Sequence, residues 1–219
     1  MVLQNLADTP VDVELEGHRS SGALVPVAGH PGRTIHLAAG EQGSYQLQIV
    51  EEETGAWVQV RERGPARTAP AIAVSGSTEC RQNNQMRTAT RQVAYPTRDP
   101  WFAGDVSELR GSVVSLINVS ADAVRASLCY SSGSLFSVPG NTPASRELQP
   151  VCSAAFDVQV PPFGTREFPV ERQGNSYFSL KTRGDSVVLQ MLRPASEGVR
   201  IYSVDSSIKF GGEVSAGRH

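Results

Sequence analysis

An all-β protein of two tandem β-sandwiches is what this sequence predicts, on three observations. Apolar and polar residues alternate with a period of two in many short segments. Helical periodicity is nearly absent, with residues 105–109 offering a single turn at most. One pattern of strands and turns also occurs twice along the chain, the mark of an internal repeat.

The elements follow in order. Val11, Val13 and Leu15 alternate with Asp12, Glu14 and Glu16, so one face of a strand is apolar and the other carries carboxylates. Ile35 and Leu37 enclose an outward His36; Tyr45, Leu47 and Ile49 continue the theme, as do Trp57, Val58 and Val60. Residues 24–27 and 72–74 read as weaker strands. In the second half the alternation returns with Val124, Ala126, Leu128 and Tyr130, then with Phe156, Val158 and Val160, and finally over residues 177–180 and 187–192. Clusters of Gly, Pro, Asn, Asp and Ser separate these runs, and many short strands so bounded form a sandwich or barrel. A chain of 219 residues is long enough for two units of about 100 residues, each burying its own core.

The repeat sets the boundaries. Residues 5–15 line up without a gap on 118–128: Asn5 on Asn118, Val11 on Val124, Val13 on Ala126, Leu15 on Leu128. Ile35 and Leu37 answer Val158 and Val160, with Gly40 set against Gly164. Tyr45 and Leu47 answer Phe168 and Val170, while Trp57 and Val60 answer Tyr177 and Leu180. The expected units are residues 1–76 and 104–210. Residues 77–103 are expected as a connector or an edge hairpin of the first unit, and 211–219 as a disordered tail. The connector reading rests on the polar run 77–91 and on Pro96 and Pro100, which stiffen an extended chain.

The repeat unit resembles bacterial immunoglobulin-like domains of the fibronectin and major-sperm-protein sort. The residues that carry the likeness are 118–128 and 158–164, with a second copy at 5–15 and 35–40. The resemblance implies immunoglobulin-like sandwiches and an extracellular or scaffolding habit, and it implies no substrate. The disulfide-and-tryptophan signature of antibody domains is missing, because Cys129 and Cys152 have no counterparts in the first half.

Composition narrows the partners. Twenty basic residues against 22 acidic ones give a formal net charge of -2, with no electrostatic reason to expect nucleic acid or an anionic membrane. No apolar run approaches the roughly 20 residues that span a bilayer. No signal peptide follows Met1, so the address is either cytosolic or, with a leader removed, extracellular, periplasmic or cell-surface; the second is favoured because this fold class is commonest outside the cytoplasm. Of three cysteines, Cys129 and Cys152 fall in the same unit and Cys80 between units. A Cys129–Cys152 bridge would close a loop of roughly 24 residues, worth about 3 kcal/mol in the chain-entropy model; unpaired thiols are the alternative.

Candidate chemistry is thin. The histidines are His18, His30, His36 and His219, and no Gly-x-Ser-x-Gly elbow accompanies them. His18, His30 and His36 read as solvated rather than as metal ligands, since their spacing requires no common site. Glu51, Glu52 and Glu53 precede Gly55 and suit a hairpin turn better than a calcium loop. Asn118-Val119-Ser120 matches a glycosylation sequon, yet Asn5-Leu6-Ala7 lacks the hydroxyl, so turn geometry explains both asparagines better. The best candidate interaction surface is Tyr95, Arg98, Trp101 and Phe102, because Trp, Tyr and Arg anchor interfaces. The competing reading has Trp101 and Phe102 wedged between the two units. Together these features predict a non-catalytic structural or adhesive module without a cofactor or metal, binding a protein partner or itself. A carbohydrate-binding module serving a hydrolase is the alternative, and an enzyme with an unrecognised site ranks last.

Overall fold

Alternating side chains call for sheets with one face turned in, and antiparallel pairing supplies them. The computed structural model describes residues 1–28, 34–46, 48–49, 56–64, 71–82, 85–91, 96–132, 152–172, 174–184, 186–195 and 198–203. Among these the protein is all-β, built from several antiparallel sheets, with no helix.

The first half contains β1 (Val2–Asn5), β2 (Val11–His18), β3 (Leu24–Val25), β4 (Val27–Ala28), β5 (Thr34–Leu37), β6 (Gln42–Ser44), β7 (Gln48–Ile49), β8 (Trp57–Arg63), β9 (Ile72–Gln82) and β10 (Gln85–Arg91). One sheet runs β10-β9-β1-β6; in another, β2 lies between β8 and the pair β3 and β5, and β4 pairs with β7. The second half contains β11 (Trp101–Asp105), β12 (Val113–Asn118), β13 (Val124–Ser131), β14 (Ala154–Val160), β15 (Thr165–Pro169), β16 (Tyr177–Arg183), β17 (Val187–Ala195) and β18 (Gly198–Ser203). Its sheets run β15-β12-β17-β18 and β11-β16-β13-β14.

The same pairings occur in both halves. β1 pairs with β6 and β9 as β12 does with β15 and β17, and β2 pairs with β5 and β8 as β13 does with β14 and β16. Registers agree as well: Val11 faces Leu37 and Val124 faces Val160, while Leu15 faces Val60 and Leu128 faces Leu180. Each half closes on its own core. Leu3, Val13, Leu15, Ile35 and Leu37 fill the first, and Phe102, Leu116, Leu128, Phe178, Leu180 and Met191 fill the second. Each such side chain, fully buried, contributes roughly 1.5–3 kcal/mol.

Two buried asparagines hold matching turns. The Asn5 amide donates to the carbonyls of Thr9, Leu37 and Ala38, and its Oδ1 accepts the Ala7 N–H. The Asn118 amide donates to Asp122, Val160 and Pro161, and its Oδ1 accepts from the N–H and the hydroxyl of Ser120. Both side chains sit at 0 % exposure, so the Asn118 amide is committed to the turn and closed to a glycan. These bonds also correct the alignment of Gly40 with Gly164. Asn5 takes its backbone partner at Glu41 and Asn118 at Gly164, so Gly40 corresponds to Phe163. Gly40 and Phe163 both have positive φ, 69° and 53°, which costs the phenylalanine about 1 kcal/mol or more.

The boundaries expected at 76 and 103 both fall inside strands. β9 and β10 form one hairpin that extends the first sheet across residues 77–82 and 85–91, and residues 101–103 belong to β11 on the edge of β16. Of the two expectations for 77–103, the edge hairpin fits its first part and the connector does not, because main-chain pairing is indifferent to side-chain polarity at an edge. Residues 92–95 and 204–219, with Tyr95 and the expected tail, lie outside the described residues, as do His30 and the run 51–53.

Candidate functional site

Strand alternation turns Trp101, Lys181, Arg183, Arg125, Ser127, Asp157 and Gln159 to the outer face of the β11-β16-β13-β14 sheet. Their neighbours Phe102, Leu180, Thr182, Ala126 and Leu128 point into the core or beneath the edge. Register sets the rows. Trp101 lies across from Lys181, Lys181 from Ser127, and Ser127 from Asp157. In the next row Arg183 lies across from Arg125 and Arg125 from Gln159. Arg125, Ser127, Asp157, Val158, Gln159 and Arg183 line a shallow open depression.

Around Trp101 the three cations thus share this face with one carboxylate, Asp157; a second, Asp105, lies four residues further along β11, where it accepts from Ser107. Asp157 accepts the Ser127 hydroxyl at 2.6 Å, and among the described residues none of Arg125, Lys181 and Arg183 has an ion pair. Trp101 is 37 % exposed beside them. No match was found among family models, curated proteins or solved structures. The functional reading therefore rests on this geometry.

Of the residues expected to form an interaction surface, Arg98 is exposed and 3.8 Å from Asp99, and Trp101 stands on the sheet face. Phe102 is a correction: it is 0 % exposed, tilted against Phe178 at 6.0 Å in the second core. Adjacent strand residues point to opposite faces, so Trp101 and Phe102 cannot both face a partner. Neither residue is in the cluster between the halves. Cys129 and Cys152 form a disulfide that ties the end of β13 to the approach of β14. Beyond it, Arg172 lies over the rings of Phe156 and Tyr130 at 4.6 and 5.5 Å. Phe156 is 41 % exposed.

His18 is a second correction. It is not solvated but 2 % exposed, stacked between Trp57 (4.6 Å) and Phe163 (5.0 Å) where the halves meet. The Trp57 indole N–H donates to the Phe163 carbonyl at 3.0 Å, and the Thr165 N–H donates to Ser20 at 2.8 Å. Trp57 joins Ile117 and Val188 in a small apolar cluster, with Val119 and Phe163 against it. The His18 Nδ1 meets the Gly22 carbonyl at 3.4 Å; Nε2 has no hydrogen-bond partner among the described residues and lies 3.8 Å from Glu16, itself 3.8 Å from Arg61. Burial holds the imidazole below its ordinary pKa, against the upward pull of the Gly22 carbonyl and Glu16. Sequence gave no hint of this stack, because Phe163 is 145 residues from His18 in the chain.

His36 is exposed and bonds Asp12 at 2.7 Å, so it sits about six residues, roughly 20 Å, along β2 from His18. Among the described residues no group of three His, Cys, Asp or Glu side chains is placed to hold a metal ion. Among them, too, no helix is long and apolar enough to cross a membrane.

Proposed function

We propose that the chain is a non-catalytic binding module of two tandem immunoglobulin-like sandwiches. Its partner, a protein or a second copy, docks on the outer face of the β11-β16-β13-β14 sheet. The observation that carries the reading is the composition of that face, where an exposed Trp101 lies together with three cations that have no ion pair among the described residues. Trp and Arg are the residues through which interfaces gain most of their energy.

The tandem immunoglobulin-like assignment draws support from strand order. In an immunoglobulin sandwich B pairs with E, C with F and C with C′. β12–β15, β13–β16 and β13–β14 match those pairs, as do β1–β6, β2–β8 and β2–β5 in the first half. The outer strands differ. β17 takes the place of A beside B, and β11 takes the place of G beside F, so these two strands stand in each other's positions, with β18 added beyond β17. The Cys129–Cys152 bond suits an oxidising compartment, and a periplasmic or surface address is part of the proposal.

Carbohydrate binding is the second reading, and Trp101 favours it as a stacking platform. Against it, Trp57, Phe102, Tyr130, Phe168 and Phe178 are buried, and the other aromatic on this face, Tyr177, is half-buried across from Asp105 and four residues along β16 from Lys181. The test combines light scattering after size exclusion, with and without reductant, and binding of candidate partners to the immobilised chain. A concentration-dependent oligomer, or a partner, is expected to be lost with Trp101→Ala and with Arg125→Glu, and retained with Arg61→Gln on the first half. Binding indifferent to Trp101 and Arg125 would refute the proposed face.

A further inference from the structure

The first half supplies an internal control for the charged face. By strand register, the positions of Arg183 and Lys181 correspond to Arg63 and Arg61, cationic in both halves. In the first half those cations are neutralised within the sheet. Arg63 forms a two-pronged bond to Glu14 at 2.9 and 3.3 Å, Arg61 lies 3.8 Å from Glu16, and Asp12 bonds His36. The positions of Asp12, Glu14 and Glu16 are taken in the second half by Arg125, Ser127 and Cys129, the last bonded to Cys152. The β16 positions are cationic in both halves, whereas the three acidic positions of β2 have no acidic counterpart on β13; the one carboxylate beside them, Asp157, stands where the first half has Thr34 and accepts the Ser127 hydroxyl. Arg125 even stands directly across from Arg183, a like-charge pair that costs stability unless an anion bridges it.

We infer that this face binds an extended acidic segment of a protein partner, whose carboxylates restore what the second half lacks. The inference rests on the reading of this face as the binding surface and names its ligand. The missing row was three carboxylates on alternate residues of one strand, Asp12, Glu14 and Glu16 in the first half. Lys181 and Arg183 are likewise two residues apart on β16, about 6.6 Å along the strand. An extended peptide with acidic alternate residues repeats at that same spacing. The two arginines offer planar forks for bidentate carboxylate bonds, and Trp101 adds an apolar anchor at one end of the row.

The experiment measures fluorescence anisotropy of a short labelled peptide with glutamate at alternate positions, its glutamine counterpart, and a labelled sulfated polysaccharide. The titrant is the full oxidised chain. Specific binding of the glutamate peptide is expected, weakening as salt rises and by about tenfold with Arg125→Glu or Arg183→Glu. Trp101→Ala should weaken it several-fold, and Arg61→Gln should leave it unchanged. All substituted positions are exposed or nearly so, and circular dichroism checks that each variant keeps its sheet signal. If only the polysaccharide binds, and binding still needs Arg125 and Arg183, the acidic-peptide inference fails while the binding face stands. If the glutamate peptide binds no better than its glutamine counterpart, or binds equally to the variant with both arginines reversed, the inference is overturned. A partner from the previous experiment that also ignores the double reversal would remove the face itself.

Discussion

Single residues hold this protein at points where a polar or strained group is enclosed. Asn5 and Asn118 each donate to three carbonyls at a buried turn, and leaving such buried groups unpaired costs about 1–3 kcal/mol apiece. Phe163 keeps a backbone conformation that suits glycine, and its ring and carbonyl both serve the junction, against His18 and Trp57. The His18 ring is the titrating member of that stack. Its folded-state pKa lies below the unfolded value, so the unfolded chain binds the proton first as pH falls. Stability is therefore full above the ordinary imidazole pKa and declines as pH drops through the lowered one. Urea denaturation at neutral pH and at a pH near 5 should show a lower midpoint in acid, and His18→Gln should shrink that difference. An unchanged pH dependence in His18→Gln would assign the effect to other groups.

Among the elements, β13 and β14 carry both the charged face and the disulfide. Cys129 is buried in β13, and its bond fixes the start of β14 beside the end of β13. Cross-linking restricts the unfolded chain, and Cys152→Ser or full reduction should lower stability by about 3 kcal/mol, read from denaturation midpoints with and without reductant. The folded sheet should persist, because seven residue pairs on each side of β13 remain in register. Strand existence was legible in the sequence wherever a buried face alternates, as at Val124, Ala126 and Leu128. The hairpin of β9 and β10 was one of two readings the sequence left open there, since its residues are mostly polar and the pairing is a property of the main chain.

Across the whole molecule, the two halves meet in a small packed junction. The turn at Gly22 lies against Pro162, and a Cβ on Gly22 would run into the Pro162 carbonyl; the glycine also has a φ of 89°. Gly22→Ala should therefore push the halves apart without disturbing either core. Its expected signature is a red-shifted Trp57 emission, read in a Trp101→Phe background, with faster proteolysis between the halves and a larger radius in small-angle scattering. Unchanged emission and protease resistance would show that the turn yields instead. β10 also lies beside β18, so the hairpin of the first half contributes to the same arrangement.

Sequence by itself determined the all-β class, the alternation of each main strand, the turn role of Asn5 and Asn118, and the repeated order of segments. These are local properties, set by side-chain period and by turn chemistry within a few residues. Tertiary structure alone decided that Phe102 is core while Trp101 is surface, that His18 is stacked rather than solvated, and that Phe163 stands where the first half has Gly40. It also decided that Arg125, Arg183 and Lys181 share one face and, among the described residues, form no ion pair there. Each of these depends on register between strands distant in the chain, and a charge has no visible partner until that register is set.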